Sequence, residues 1–214
     1  MATKTRKPQR DRHQEILEAA SRVITDRGLA ETRIQDIADA CGVSPGLILY
    51  YFESKDRLLV EALTYTSDQF YLRTARELRK MPSARDRLIR VIELSVPGLL
   101  PEYDLLDEWA LWLEIWVRAL RDPELAKERE VLDRRWVQTI AELVRYGRQT
   151  GEFPTDERDA DDVAVQFNAM TDGLAIQVLL NDTVMTPKRM YDICLDVAQR
   201  LIGFDGTPLD AARV

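Results

Sequence analysis

Apolar residues recur three and four positions apart along nearly the whole chain, and helix punctuation separates the runs. Ile16, Leu17, Ala20, Val23 and Ile24 mark one face of a first helix that begins near Arg10 and stops at Gly28. Ser44-Pro45, Asp122-Pro123 and Thr186-Pro187 each set a capping side chain before a proline, whose missing N–H costs nothing in a first turn. No stretch sustains the two-residue alternation of a strand. The expected fold class is therefore all-α, with later helices at roughly 55–80, 84–99, 102–121, 123–149, 158–181 and 187–203.

Residues 32–55, TRIQDIADACGVSPGLILYYFESK, are the most informative stretch. Thr32 and Gln35 have the spacing of a capping box, which opens a second helix whose inner face is Ile34, Ile37, Ala38 and Cys41. Gly42-Val43-Ser44 is a tight turn with an apolar plug, and a third short helix follows with Ile48 and Phe52 facing inward. Two short helices joined this way form a helix-turn-helix, in which the second can enter the major groove of DNA. Thr32, Arg33, Ser44, Tyr50, Tyr51 and Lys55 supply donors for phosphates, Gln35 a group for a phosphate or a base edge, and Leu47 a contact for a thymine methyl. Pro45 and Gly46 let the helix start approach the duplex closely.

The formal charge of -7 first argues against a nucleic-acid binder, but its distribution does not. Residues 1–60 carry 10 basic and 9 acidic side chains, whereas residues 61–214 carry 20 and 28. Residues 1–9 read as a flexible basic tail, in which Lys4, Arg6 and Lys7 would follow a minor groove; a solvated tail is the plainer alternative. Two cysteines, Cys41 and Cys194, form no disulfide framework or metal signature, so a cytoplasmic setting is the simplest. No run is long and apolar enough for a membrane span, so no membrane partner is expected. His13 is the sole histidine and there is no glycine-rich phosphate loop, so neither an enzyme, a metal site nor a cofactor is expected.

The 32–55 pattern resembles the TetR family of bacterial repressors. The residues that carry the likeness are Thr32, Ile37-Ala38, Gly42-Val43-Ser44, Gly46, Tyr51-Phe52 and Ser54-Lys55. Many members have a phosphate-binding Tyr where this chain has Leu49, and Tyr50 is the neighbouring substitute. The apolar Leu47 and Leu49 resemble choline-responsive BetI-type members, as do Arg121–Leu125, Gly151–Phe153 and Asp172–Leu180. The resemblance implies a DNA-binding domain over 1–54 and a ligand-sensing, dimerising domain over 55–214, with 204–214 as a tail. It implies a homodimeric repressor that binds a palindromic operator on double-stranded DNA and is relieved by a small-molecule effector of unknown identity. The alternative is an activator or protein-binding adaptor with a vestigial pocket.

In the larger part, Trp109, Trp112 and Trp116 recur along one stripe of a helix that is apolar nearly all round. With Leu113, and with Phe167, Asn168, Met170, Thr171 and Asp172 of a later helix, they are the candidates for a ligand cavity; plain core is the alternative. A pocket of indoles with a carboxylate such as Glu114 or Asp172 suits a quaternary ammonium, and an acyl ligand is the rival. Leu174, Val178, Met190, Ile193, Cys194, Val197 and Leu201 form the expected dimer face, with packing inside one chain as the alternative.

Overall fold

The computed structural model describes residues 9–28, 31–103 and 105–204. Every regular element among them is helical: α1 (Gln9–Arg27), α2 (Ile34–Cys41), α3 (Pro45–Phe52), α4 (Lys55–Leu78), α5 (Ala84–Leu94), α6 (Leu105–Ala119), α7 (Pro123–Thr150), α8 (Ala160–Leu179) and α9 (Pro187–Ile202), with one 3-10 turn at Pro101–Tyr103. The basic side chains at positions 4, 6 and 7 and the tail beyond 204 lie outside the described residues. The chain forms two compact units. One holds the chain to Leu72 together with Ala110–Arg129, so it continues well past residue 54; the other holds Arg73–Trp109 and the chain from Glu130 on.

In the first unit α1 buries Ile16, Leu17, Ala20 and Ile24. Ile37 and Ala38 of α2, Ile48 and Phe52 of α3, and Leu58, Leu59, Ala62 and Leu63 of α4 are the other main core residues of this unit. Burial of a side chain as large as Phe52 stabilises the unit by about 2 kcal/mol. Polar contacts fix α4 on α1: Tyr65 donates to Glu18 at 2.8 Å, and the Ser21 and Thr66 hydroxyls meet at 3.0 Å. His13 lies on the Phe52 ring at 4.6 Å and meets Glu61 at 3.2 Å. The segment from Ala110 is tied to the start of α4 by Arg118–Asp56 at 2.7 Å and Arg57–Glu128 at 3.9 Å.

Each helix boundary has a local cause. Gly28, with φ 76°, donates to the Ile24 carbonyl at 2.8 Å and closes α1. Gly42, with φ 65°, closes α2, and the hydroxyls of Ser83 and Thr186 cap α5 and α9. The helix expected to reach residue 99 ends at Leu94, because Pro97 lacks an N–H and disfavours helical backbone in the residue before it. After α3, Glu53 adopts φ 61° and ψ -41° while its N–H closes the helix on the Leu49 carbonyl at 2.9 Å. A side chain in so sparsely populated a region costs on the order of 1 kcal/mol. Glu53→Gly is therefore expected to raise stability by about that amount in urea denaturation; a lower midpoint would contradict this strain.

The second unit packs α5, most of α7, α8 and α9 around one core. Leu88, Ile92, Ile140, Val144, Phe153, Val163, Phe167, Met190 and Ala198 are all at most 1% exposed. Gly147 makes room for Phe153: a Cβ at 147 would lie 2.1 Å from the ring, and the Phe153 N–H returns to the Gly147 carbonyl at 3.0 Å. Three residues of the expected dimer face belong to this interior. Val178 is 6% exposed, and Met190 and Cys194 are fully buried within their own chain. Their stripe pattern reflects packing inside the protomer. Leu174, Ile193, Val197 and Leu201 are half-buried, and Val165 and Leu180 are exposed.

Candidate functional site

The helix-turn-helix is built from α2 and α3. Gly42 in the left-handed conformation reverses the chain, and the Val43 N–H reaches the Ala38 carbonyl at 2.9 Å. The Ser44 hydroxyl accepts the Leu47 N–H at 3.3 Å and Pro45 occupies the first turn, so α3 starts where the sequence placed it. Ile48 and Phe52, one turn apart, anchor the inner face of α3. The opposite side carries Gly46 and Tyr50, flanked by Leu47 and Leu49. Tyr50 is 74% exposed and Leu49 44%. Tyr51 turns partly inward, edge-on to His13 at 5.9 Å. Arg33, Gln35, Ser44, Gly46 and Tyr50 are exposed, whereas Pro45, Leu47, Tyr51 and Lys55 are partly covered.

Thr32 departs from expectation. It is 1% exposed, and its hydroxyl donates to the Gly28 carbonyl at 2.8 Å. A buried hydroxyl that serves its own backbone cannot reach a phosphate, so Thr32 leaves the set of contact residues. Nor does it cap α2. Arg33 is the N-cap residue, and Asp36 closes the turn by accepting the Arg33 N–H at 2.8 Å. That bond, with the nearby Arg27, holds the Asp36 carboxyl below its ordinary range. Gln35 is committed to Asp39, its amide donating at 2.7 Å.

The ligand candidates are divided between the units. Trp112, Leu113 and Trp116 lie in the first, where the two indoles are 6.4 Å apart. Trp109 and the α8 residues lie in the second. Phe167 and Thr171 are plain core there, and the Thr171 hydroxyl donates to the Phe167 carbonyl at 2.9 Å. The Asn168 amide donates to Asp172 at 2.9 Å, and Met170 packs on the core. In the first unit an open cleft of about 790 Å³ between α1 and α4 is lined by residues that include the paired His13, Arg57, Glu61 and Tyr65.

The second unit contains a carboxyl that sequence reasoning passed over. Glu108 is crowded by protein atoms and only partly accessible to solvent. Burial pushes its carboxyl up to about 7, and the positive charge of Arg73 only partly offsets this. Arg73 is held over the Tyr103 ring at 4.1 Å. Arg90 lies over the same ring at 5.0 Å and donates to Glu77 at 2.6 Å and Glu93 at 2.8 Å, while the Tyr103 hydroxyl donates to Glu77 at 2.5 Å. The signal available in the sequence was the acids Asp107, Glu108 and Glu114 set within the apolar-rich run LLDEWALWLEIWV.

Residues 16–62 match the family model of bacterial regulatory proteins of the tetR family, and residues 84–203 match that of the C-terminal part of BetI-type transcriptional repressors. The HTH-type transcriptional regulator BetI of Proteus mirabilis is 27% identical over 196 residues, covering 89% of this chain and 92% of that protein. A transcriptional regulator from Saccharomonospora viridis, solved in complex with choline, superposes with a TM-score of 0.81 at 36% identity, covering 91% of this chain and 98% of that one. FadR from Bacillus subtilis, solved in complex with stearoyl-CoA, shares the fold at 19% identity and a TM-score of 0.63, over 89% and 97% of the two chains. The chain therefore belongs to the TetR family of bacterial transcriptional regulators, with a C-terminal part of the BetI type.

Proposed function

We propose that this protein is a cytoplasmic homodimeric repressor whose grip on a palindromic operator is relieved by a quaternary ammonium ligand of the choline kind. The observation that carries the ligand class is Glu108, a crowded, partly buried carboxyl in a chain 36% identical to one solved with choline. An anionic counter-charge together with an aromatic face favours a cation that cannot shed its charge, by ion pairing and cation–π attraction. In this reading Arg33, Ser44, Tyr50, Tyr51 and Lys55 hold phosphates, and α8 and α9 meet their counterparts through Val165, Leu174, Leu180, Ile193, Val197 and Leu201. Two reading helices a turn of DNA apart account for the need for a dimer.

Control then follows from linkage. The ligand favours one arrangement of the dimer by its differential affinity, and a tenfold loss of operator affinity requires about 1.4 kcal/mol of coupling. The test is titration of choline and of stearoyl-CoA into the full chain, followed by indole fluorescence. Saturable quenching by choline, stronger at pH 8 than at pH 6 as Glu108 ionises, is expected. Binding of stearoyl-CoA with no response to choline would replace the cationic ligand with an acyl one.

A further inference from the structure

We infer that this protein selects its DNA sequence chiefly through thymine methyl groups, which Leu47 and Leu49 of α3 touch in the major groove. The inference rests on the DNA-binding reading and adds how sequence is read. Between Pro45 and Phe52 no side chain carries an amide, carboxylate, guanidinium or ammonium group. The side chains that distinguish guanine or adenine by paired hydrogen bonds are therefore missing from the helix that enters the groove. Of the side chains on its outer face only the Tyr50 hydroxyl can make a hydrogen bond, while Leu49 stands 44% exposed. Gln35, the nearest amide, is already bonded to Asp39. The one apolar mark that a base pair shows in the major groove is the C5 methyl of thymine.

Gly46 supplies an independent argument. Its backbone is ordinary helix, and a Cβ there would meet nothing within 4 Å. The fold does not require glycine at this position, and a helix is weakened by it. The empty space lies on the outer face beside Tyr50, where it admits the edge of a duplex.

The test is selection of bound duplexes from a random-sequence pool by the full chain, followed by resynthesis of the enriched duplex with deoxyuridine for thymine. Fixed A·T pairs are expected in each half-site. Uracil should weaken binding about fourfold per methyl lost, and so about fifteenfold for one methyl in each of two half-sites. Purine analogues with carbon in place of N7 should bind like the parent duplex. Gly46→Ala should raise the melting temperature while weakening binding to the enriched duplex, and Leu49→Ala, which leaves Leu47 in place, should reduce the thymine preference but keep salt-dependent binding. Equal affinity for the uracil duplex, or a marked loss with the purine analogues, would overturn the inference. A change in oligomeric state on Leu49→Ala with DNA affinity intact would assign the face to self-association instead. Enrichment of no sequence at all would remove the DNA-binding reading itself.

Discussion

Glu108→Gln should flatten the dependence of stability on pH, with the variant gaining about 2.5 kcal/mol over the parent between pH 5 and pH 8. Burial raises the carboxyl from about 4.5 when unfolded to about 7 when folded, so the folded chain holds the proton more tightly. The stabilising contribution of the protonated acid is complete below the unfolded value. It is lost as pH rises through the folded value, because the ionised form is then favoured by unfolding. Glutamine keeps the shape of the protonated acid and cannot ionise. Urea denaturation of both proteins at pH 5, 6, 7 and 8 checks this, and two parallel profiles would show that the carboxyl does not feel the interior. Arg73→Gln should steepen the parent's loss, since it removes the positive charge that favours ionisation.

Gly147→Ala should destabilise the protein by about 3 kcal/mol, the upper end of what overpacking costs. The added methyl would fall 2.1 Å from the Phe153 ring, which is 1% exposed, and the ring cannot swing into water without emptying the core. Phe153 is also tethered through its own N–H to the Gly147 carbonyl. The double variant Gly147→Ala, Phe153→Leu separates the causes: a smaller partner should recover part of the loss if collision is responsible. Equal stability of Gly147→Ala and the parent would refute the close approach.

The helix starts were legible because caps are local: Ser44-Pro45 and Thr186-Pro187 act within four residues and open α3 and α9 where expected. Thr32 misled because a hydroxyl three residues before Gln35 has capping-box spacing, and tertiary burial against the Gly28 carbonyl decided otherwise. The clean stripe on α9 announced a covered face. Periodicity does not say which chain covers it, and Met190 and Cys194 are covered by their own. Glu108 went unnoticed because α6 is apolar on nearly every face, so position along the helix did not reveal which side lies inward. Helix α3 lies where the sequence placed it, and its exposed leucine and tyrosine were visible there only as an oddity.

Cys194 is fully enclosed beside Thr171, and burial pushes its thiol up to about 11. Only the thiolate attacks alkylating reagents, so in the native protein this sulfur is doubly protected, by access and by protonation. Its modification marks the moment when the interior of the larger unit comes apart, which gives the molecule a natural clock for core opening.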